Sequence, residues 1–254
     1  MAPFLWGEKI GAMKYELFKN KHCFISGATG GLGRHLATKM SQSGCDLFLT
    51  SKHFSKLEAL TNELRSVCGS RSRIFYEQAD LNSVQDIDAV IKAAKEKLST
   101  IDILINCAGV FVVKPLFDSD LDDFETSLNV NLRAAFTFSK AFAVDMVKNK
   151  WGRIINIGSS SACEGHRNSS LYCASKHAVL GLSRALHDEL KDHNIRVICV
   201  LPSAMKTKMG KLIKNQDYDT FLKPEEVADY IVYISSFDAE MITEEVRLNR
   251  IVTR

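Results

Sequence analysis

The sequence has little proline: four residues in 254. No Pro-rich linker divides the chain, and no internal repeat or low-complexity tract marks a boundary, so one domain around a single sheet accommodates the whole length. It also lacks any run near the ~20 apolar residues that a membrane-spanning helix needs, because charged or polar residues interrupt every hydrophobic segment. Neither sign of charge dominates, with Lys plus Arg 33 against Asp plus Glu 30 and a net charge of +3. These charges are spread along the chain rather than gathered in basic blocks, which argues against nucleic acid as a partner. The cysteines, seven in all, stand at 23, 45, 68, 107, 163, 173 and 199, with no CxxC pair and no histidines at zinc-finger spacing. Neither a disulfide framework nor a metal site is expected, and reduced thiols fit a cytoplasmic protein. What is present is an ordinary globular composition, 46% hydrophobic and 25% charged, which excludes disorder, collagen and coiled coil. Residues 1–20 carry an apolar run too short for a signal-peptide core, with no basic region ahead of it. They read as a peripheral arm before a domain covering 21–254, and Met13 offers an alternative translation start.

Short β-type runs alternate with longer stretches of helical period, which predicts right-handed βαβ units and an α/β doubly wound parallel sheet. Strands are expected at 22–26, 46–50, 73–78, 101–105, 153–157 and 195–201, with a weaker one at 246–248. Helices are expected at 32–43, 55–67, 84–98, 124–148, 171–192 and 224–235. Leu57, Leu60 and Leu64 have helical spacing, and Pro224 opens the last helix at its first turn.

Directly after the first strand comes Gly27-Ala28-Thr29-Gly30-Gly31-Leu32-Gly33, opening a helix. Glycines permit the tight turn and let backbone N–H groups approach a pyrophosphate, while the helix N-terminus adds partial positive charge. A glycine-rich turn can also serve chain reversal alone, but a strand before it and a helix after it favour a dinucleotide site. No Gly-Lys-Ser/Thr follows, so it is not a P-loop.

Tyr172 and Lys176 lie one turn apart on a predicted helix, which sets an ammonium beside a phenol. A phenol, with an ordinary pKa of about 10, serves as an acid or base near neutrality only when its phenolate is stabilised, and a neighbouring cation does this. Tyr15 and Lys19 repeat the spacing ahead of the first strand, where no pocket could be built around them. Ser159 distinguishes the pairs, because it ends the fifth strand, and doubly wound sheets take their ligands at the C-terminal ends of strands.

In this order and on these elements, the residues resemble the short-chain dehydrogenase/reductase family in its compact single-domain branch. The resemblance runs from His22 to the end of the chain: the glycine loop, Asn106-Cys107-Ala108-Gly109 after the fourth strand, Asn131 within Asn-Val-Asn, then Ser159, Tyr172 and Lys176. It implies a Rossmann-type fold and an oxidoreductase that interconverts a ketone and a secondary alcohol by hydride transfer. It implies that Tyr172 moves a proton to or from the substrate oxygen and that Ser159 holds that oxygen. Lys176 would lower the Tyr172 pKa and bind the nicotinamide ribose, and Asn131 would position a relay water. Asp80 and Leu81 would meet the adenine, and Thr207 the nicotinamide carboxamide. Pro202, Met205, Asn106, Ala108 and Gly109 would complete the cofactor contacts. The chain departs from the family pattern at Ser203, where glycine is usual, at Cys107, which replaces an asparagine, and in its last strand, which lacks a glycine pair. Cys107 and Cys173 read as packing, and His166 as a surface or substrate contact.

An NAD-specific site usually ends the second strand with an acid that bonds the ribose 2′-hydroxyl and repels a 2′-phosphate. Here Leu49-Thr50-Ser51-Lys52-His53 carries none. Ser51 stands at the acid's place, and Lys52 where NADP-preferring relatives often carry arginine. NADP(H) is therefore expected over NAD(H), in a reductase of the 3-oxoacyl or carbonyl type. An NAD-dependent alcohol, sugar or hydroxysteroid dehydrogenase is the alternative. A non-catalytic dinucleotide sensor would be marked by a missing catalytic residue, and Asn131, Ser159, Tyr172 and Lys176 are all present. The substrate would be a small carbonyl or alcohol framed by 111–113, 163–168 and the segment after Pro202. Lys206, Lys208, Lys211, Lys214 and Arg167 could draw an anionic or carrier-linked one. Family members usually pair through two long helices, so a homodimer or homotetramer is expected through 124–148 and 171–192. Phe136, Phe138, Phe142, Val144, Met146, Val179, Leu180, Leu182 and Leu186 on them exceed one buried stripe.

Overall fold

The computed structural model describes residues 17–214 and 216–251. Met13 and Tyr15 lie outside the described residues. The described end of the 1–20 segment belongs to the core, since Phe18 is buried and its N–H donates to the Ser43 carbonyl at 3.1 Å.

In chain order the elements are β1 (His22–Ser26), α1 (Gly33–Gln42), β2 (Asp46–Ser51), α2 (Phe54–Cys68), β3 (Ile74–Gln78) and α3 (Val84–Leu98). They continue with β4 (Ile103–Asn106), α4 (Leu121–Leu128), α5 (Ala134–Asn149), β5 (Gly152–Ile157), α6 (Ser170–Leu190), β6 (Ile195–Pro202), α7 (Pro224–Ser235) and β7 (Glu245–Leu248). The strands form one parallel sheet in the order β3-β2-β1-β4-β5-β6-β7. The chain builds outward from β1 to β3, then returns to place β4 on the other side of β1. The crevice between the C-terminal ends of β1 and β4 is thus the switch point at which such sheets bind ligands.

Helices cover both faces, so the inner strands are apolar almost without interruption and buried on both sides. On one face Ile25, Leu47 and Leu49 pack with Leu36 and Met40 of α1, Leu57 of α2 and Ile231 of α7. On the other, Phe24 stacks on Phe48 at 5.8 Å and meets Phe138 and Phe142 of α5 at 4.8 and 5.0 Å. Ser83 caps α3 by accepting the Asp86 N–H, and Asp120 and Asp123 form a capping box at α4.

The helix expected over 124–148 is divided. A π-helical turn at Asn129–Arg133 separates α4 from α5 and carries Asn131 inward, where it is buried. Several of the apolar residues expected to exceed the protomer's needs are used within it: Phe138, Phe142, Met146, Val179 and Leu180 are core residues. Phe136 and Val144 of α5 remain exposed, as do Leu116 and Phe117 ahead of α4 and Leu121 and Phe124 on it.

The chain between α7 and β7 is tied down by two arginines of the central sheet. Arg153, fully buried, donates to the carbonyls of Ser235 (3.1 Å) and Phe237 (2.9 Å) and pairs with Asp238 at 2.7 Å. Arg196 donates to the carbonyls of Phe237 (2.6 Å), Met241 (2.9 Å) and Ala239. This clamp delivers β7 to its place beside β6. Among the described residues no helix is long and apolar enough to cross a membrane.

Candidate active site

The glycine loop leaves β1 at Ser26, whose hydroxyl accepts the N–H groups of Cys107 (3.2 Å) and Ala108 (3.3 Å) from the loop after β4. That pair of bonds fixes the width of the crevice. Gly27 has φ +67°, and a Cβ there would lie 2.6 Å from Ala108 Cα. A Cβ on Gly33 would fall 2.2 Å from the Gly27 carbonyl oxygen. Only glycine satisfies both positions, so the turn stays flat and its backbone open. Gly30 N–H donates to Gly27 O at 2.9 Å, and Leu32 anchors the start of α1 in the core. Thr207, in the segment after β6, lies over Gly31: a Cβ there would be 2.5 Å from Thr207 Cγ2.

Tyr172 and Lys176 sit on the buried face of α6, and Ser159 follows β5. The Ser159 hydroxyl accepts the Ser161 N–H at 3.1 Å. Burial raises the Tyr172 pKa above its ordinary value, and hydrogen bonding from Ser159 pulls it partly back. Phe111 packs edge-on against the Tyr172 ring, with centroids 4.6 Å apart. Lys176 Nζ is 5.8 Å from the centroid of that ring and donates to the Ile157 carbonyl at 2.7 Å. Its pKa is lowered to about 8 by burial. Asn131 is held by three bonds: its Oδ1 accepts the Val110 N–H (2.8 Å), and its Nδ2 donates to Val110 O (3.1 Å) and Ser175 Oγ (2.9 Å). A Cβ on Gly109 would lie 3.3 Å from Asn131 Oδ1 and 3.7 Å from Lys176 Nζ, so Gly109 keeps these two side chains and the crevice in communication. Asn106 does not join them. Its amide turns into the layer under α5, donating to Asn156 Oδ1 at 2.8 Å.

At the other end of the crevice, Ser51 Oγ and Thr29 Oγ1 are 2.5 Å apart. Lys52 Nζ pairs with Asp80 Oδ2 at 2.7 Å, and the ammonium holds that carboxyl below its ordinary range. Leu81 is buried beside it.

Tyr172 and Ser159 open onto a cavity of about 1160 Å³, lined among others by Phe111, His166, Pro202, Met205 and Thr207. The cationic rim is smaller than the sequence implies. Lys214 and Arg167 line the cavity, whereas Lys208 and Lys211 do not and Lys206 is drawn to Asp219 at 3.6 Å. Sequence reasoning missed Ser26, Ser175 and the cavity-lining Arg250, which lies in the C-terminal segment after β7. The signal for Ser26 was its place immediately before the first glycine; Ser175 and Arg250 carry none that spacing reveals.

A sheet of this order with a glycine turn at its switch point, and a Tyr, Ser and Lys gathered beside it, describes a dinucleotide-dependent oxidoreductase. Residues 21–217 match the short chain dehydrogenase family, and the chain belongs to that family. It is similar to nodulation protein G of Rhizobium sp. (strain N33), at 31% identity over 90% of this chain and 94% of that protein. It is similar also to the 3-oxoacyl-acyl-carrier-protein reductase of Thermotoga maritima, at 27% identity over 90% of this chain and 95% of that one. A metagenomic short-chain oxidoreductase solved in complex with NADP superposes with a TM-score of 0.80 at 26% identity, covering 92% of this chain and 99% of that one. The fold is therefore Rossmann-type, and the protein is an NAD(P)-dependent oxidoreductase acting between carbonyl and alcohol.

Proposed function

We propose that the protein is an NADP(H)-preferring reductase of a ketone, with Tyr172 as the group that delivers the proton. The observation that carries this reading is the meeting of Tyr172 and Ser159 at the wall of one large cavity, with the Lys176 ammonium buried behind them. The residues fit a nicotinamide dinucleotide. Gly27, Gly31 and Gly33 leave a cradle that Cβ atoms would fill, next to the start of α1. Cofactor contacts are assigned to Thr29, Gly30, Leu32, Ser51, Lys52, Asp80, Leu81, Ala108, Gly109, Pro202, Met205 and Thr207. Asn106 is assigned to the support of that wall rather than to direct contact.

When bound, the cofactor supplies the hydride. The chain's own residues orient the carbonyl and handle the proton. Ser159 and Tyr172 both bond the carbonyl oxygen, and the phenol transfers its proton as negative charge develops there. A phenol whose pKa burial has raised is protonated at neutral pH, which favours the reducing direction. Lys176 spends one of its three donors on Ile157 O and keeps two for the ribose hydroxyls, and its charge stabilises the phenolate left behind. Asn131, fixed by Val110 and Ser175, orders water between that lysine and the π-helical turn. The relatives named as a 3-oxoacyl reductase and as an NADP complex support the carbonyl direction and the phosphorylated cofactor.

The test is a panel of ketones followed by NADPH absorbance, with NADH in parallel. Consumption of NADPH by at least one ketone, lost in Tyr172→Phe, is expected. A panel that consumes neither cofactor, or a Tyr172→Phe enzyme of near-normal turnover, overturns the reading.

A further inference from the structure

We propose that Arg250, together with Ser203, forms an oxyanion subsite in the substrate cavity, so that the substrate carries a carboxylate or phosphate group remote from its carbonyl. The inference rests on the reading above for the cavity's role and adds the chemical class of what enters it.

Arg250 lines the same cavity as Tyr172. It is fixed on three sides by groups without charge: its Nη1 donates to Thr220 Oγ1 at 3.2 Å, its Nη2 donates to Gln216 Oε1 at 2.8 Å, and its guanidinium lies 4.9 Å over the Phe221 ring. No carboxylate of the described residues pairs with it. The guanidinium is thus positioned without being neutralised. Of its five N–H donors two are used, and the Nε, shielded from bulk water, has no acceptor. Ser203, which also lines the cavity, has a buried hydroxyl equally without a partner. Buried donors are ordinarily satisfied by the protein itself. Both residues line the cavity, and Nη1 and Nη2 of Arg250 each keep one N–H for a partner there.

The contrast with the two structural arginines sharpens the point. Arg153 meets Asp238, and Arg196 donates to three backbone carbonyls, so each is taken up by the fold. Arg250 is not. The charges around the cavity agree. Lys114 is cancelled by Asp123 at 2.5 Å, which among the described residues leaves Glu164 as the one other lining acid against Arg167, Lys214 and Arg250. A planar guanidinium held in place is suited to a carboxylate or phosphate rather than to a neutral polar group.

The test measures binding apart from turnover, by calorimetry on the protein saturated with NADP⁺. The probes are oxo acids of four to eight carbons, their methyl esters, and the matching oxoalkyl phosphates. The wild type is expected to bind at least one anion about tenfold more tightly than its ester, and Arg250→Gln to bring the two within about twofold, with Arg250→Lys in between. Stabilisation by NADP⁺ checks that Arg250→Gln is folded. If it is not, Ser203→Ala supplies the comparison, with a loss of about two- to fivefold for the anion only. Anion and ester bound alike by the wild type, no binding of any anion at 10 mM or below (about the weakest measurable), or a preference that survives in Arg250→Gln overturns the subsite. A phosphate favoured over the matching carboxylate upholds it and identifies the headgroup. Arg250-dependent binding without NADPH consumption upholds the subsite and overturns the reductase reading, whereas consumption of esters and acids alike does the reverse.

Discussion

Replacing Lys52 by alanine tests cofactor choice where we propose that it is made, at the end of β2. The ammonium is 65% exposed and stands 2.7 Å from Asp80. A unit charge 4 Å from it gains about 1 kcal/mol in water-like surroundings and about 4 kcal/mol at an effective dielectric of 20. Its exposure places Lys52 near the first of these limits, and Asp80 competes for the same ammonium. A 2′-phosphate carrying nearly two charges therefore keeps a net gain of about 1 kcal/mol, which corresponds to a fivefold rise in the NADPH Kd when the lysine is removed. NADH has no 2′-phosphate, and its Kd should move by less than about twofold. Fluorescence titration of both cofactors at about 50 and 300 mM salt measures this, with the NADPH effect shrinking at the higher salt. Ser51→Asp gives the converse, since a carboxylate facing Thr29 Oγ1 would repel the phosphate and accept a ribose hydroxyl. Equal weakening of both cofactors by Lys52→Ala, or a wild type that binds NADH more tightly, would refute the electrostatic account of this turn.

Tyr172→Phe should leave NADPH affinity intact and lower kcat by about 10²- to 10⁴-fold, measured in the steady state, because one proton donor is removed; Tyr15→Phe, outside the described residues, should be silent and serves as the control. On the proposed mechanism reduction requires a protonated Tyr172 and a charged Lys176, and burial brings the lysine down to about 8. Ketone reduction should accordingly be flat near neutrality and fall as pH rises through about 8, and Lys176→Arg, which stays charged, should move that fall upward; a profile unchanged in Lys176→Arg counts against the lysine's part. Phe136, 47% exposed on α5, should lie in a contact between copies, so Phe136→Lys should reduce the mass found by light scattering, while a wild type that is monomeric at micromolar concentration excludes this interface.

The parallel sheet was legible because its strands are buried on both faces and read as apolar runs between helical periods. β1, α3 and α7 match their expected limits. The π-helical turn at Asn129–Arg133 was not, because a single inserted residue barely alters a pattern of period 3.6, although it is what turns Asn131 inward. At the site, Gly27 directly follows β1 and Ser159 stands two residues past β5, so both could be read as strand-end positions, and the spacing of Tyr172 and Lys176 set that pair on one face of α6. Asn106 shows the limit of that reasoning: expected just after the fourth strand, it is the last residue of β4, and pleat alternation turns its side chain toward α5. The lysines after β6 were counted as a set from proximity in sequence, whereas the loop divides them between cavity and solvent. Arg250 was hidden because its neighbours Thr220 and Gln216 come close only once β7 has docked.

The clamp formed by Arg153 and Arg196 makes the enzyme's two halves of recognition separable along the chain. The glycine loop, the Tyr172 helix and the strands that carry them are complete by the end of β6. Asn249 and Arg250 reach the cavity from the end of β7, which the two guanidiniums and the pairing with β6 hold in place. A chain cut after Leu248 would retain every element of the sheet and still lose both of those cavity-lining residues. Limited digestion from the C-terminus should therefore yield a form that is folded and competent for its nucleotide but altered in which carbonyl compounds it accepts.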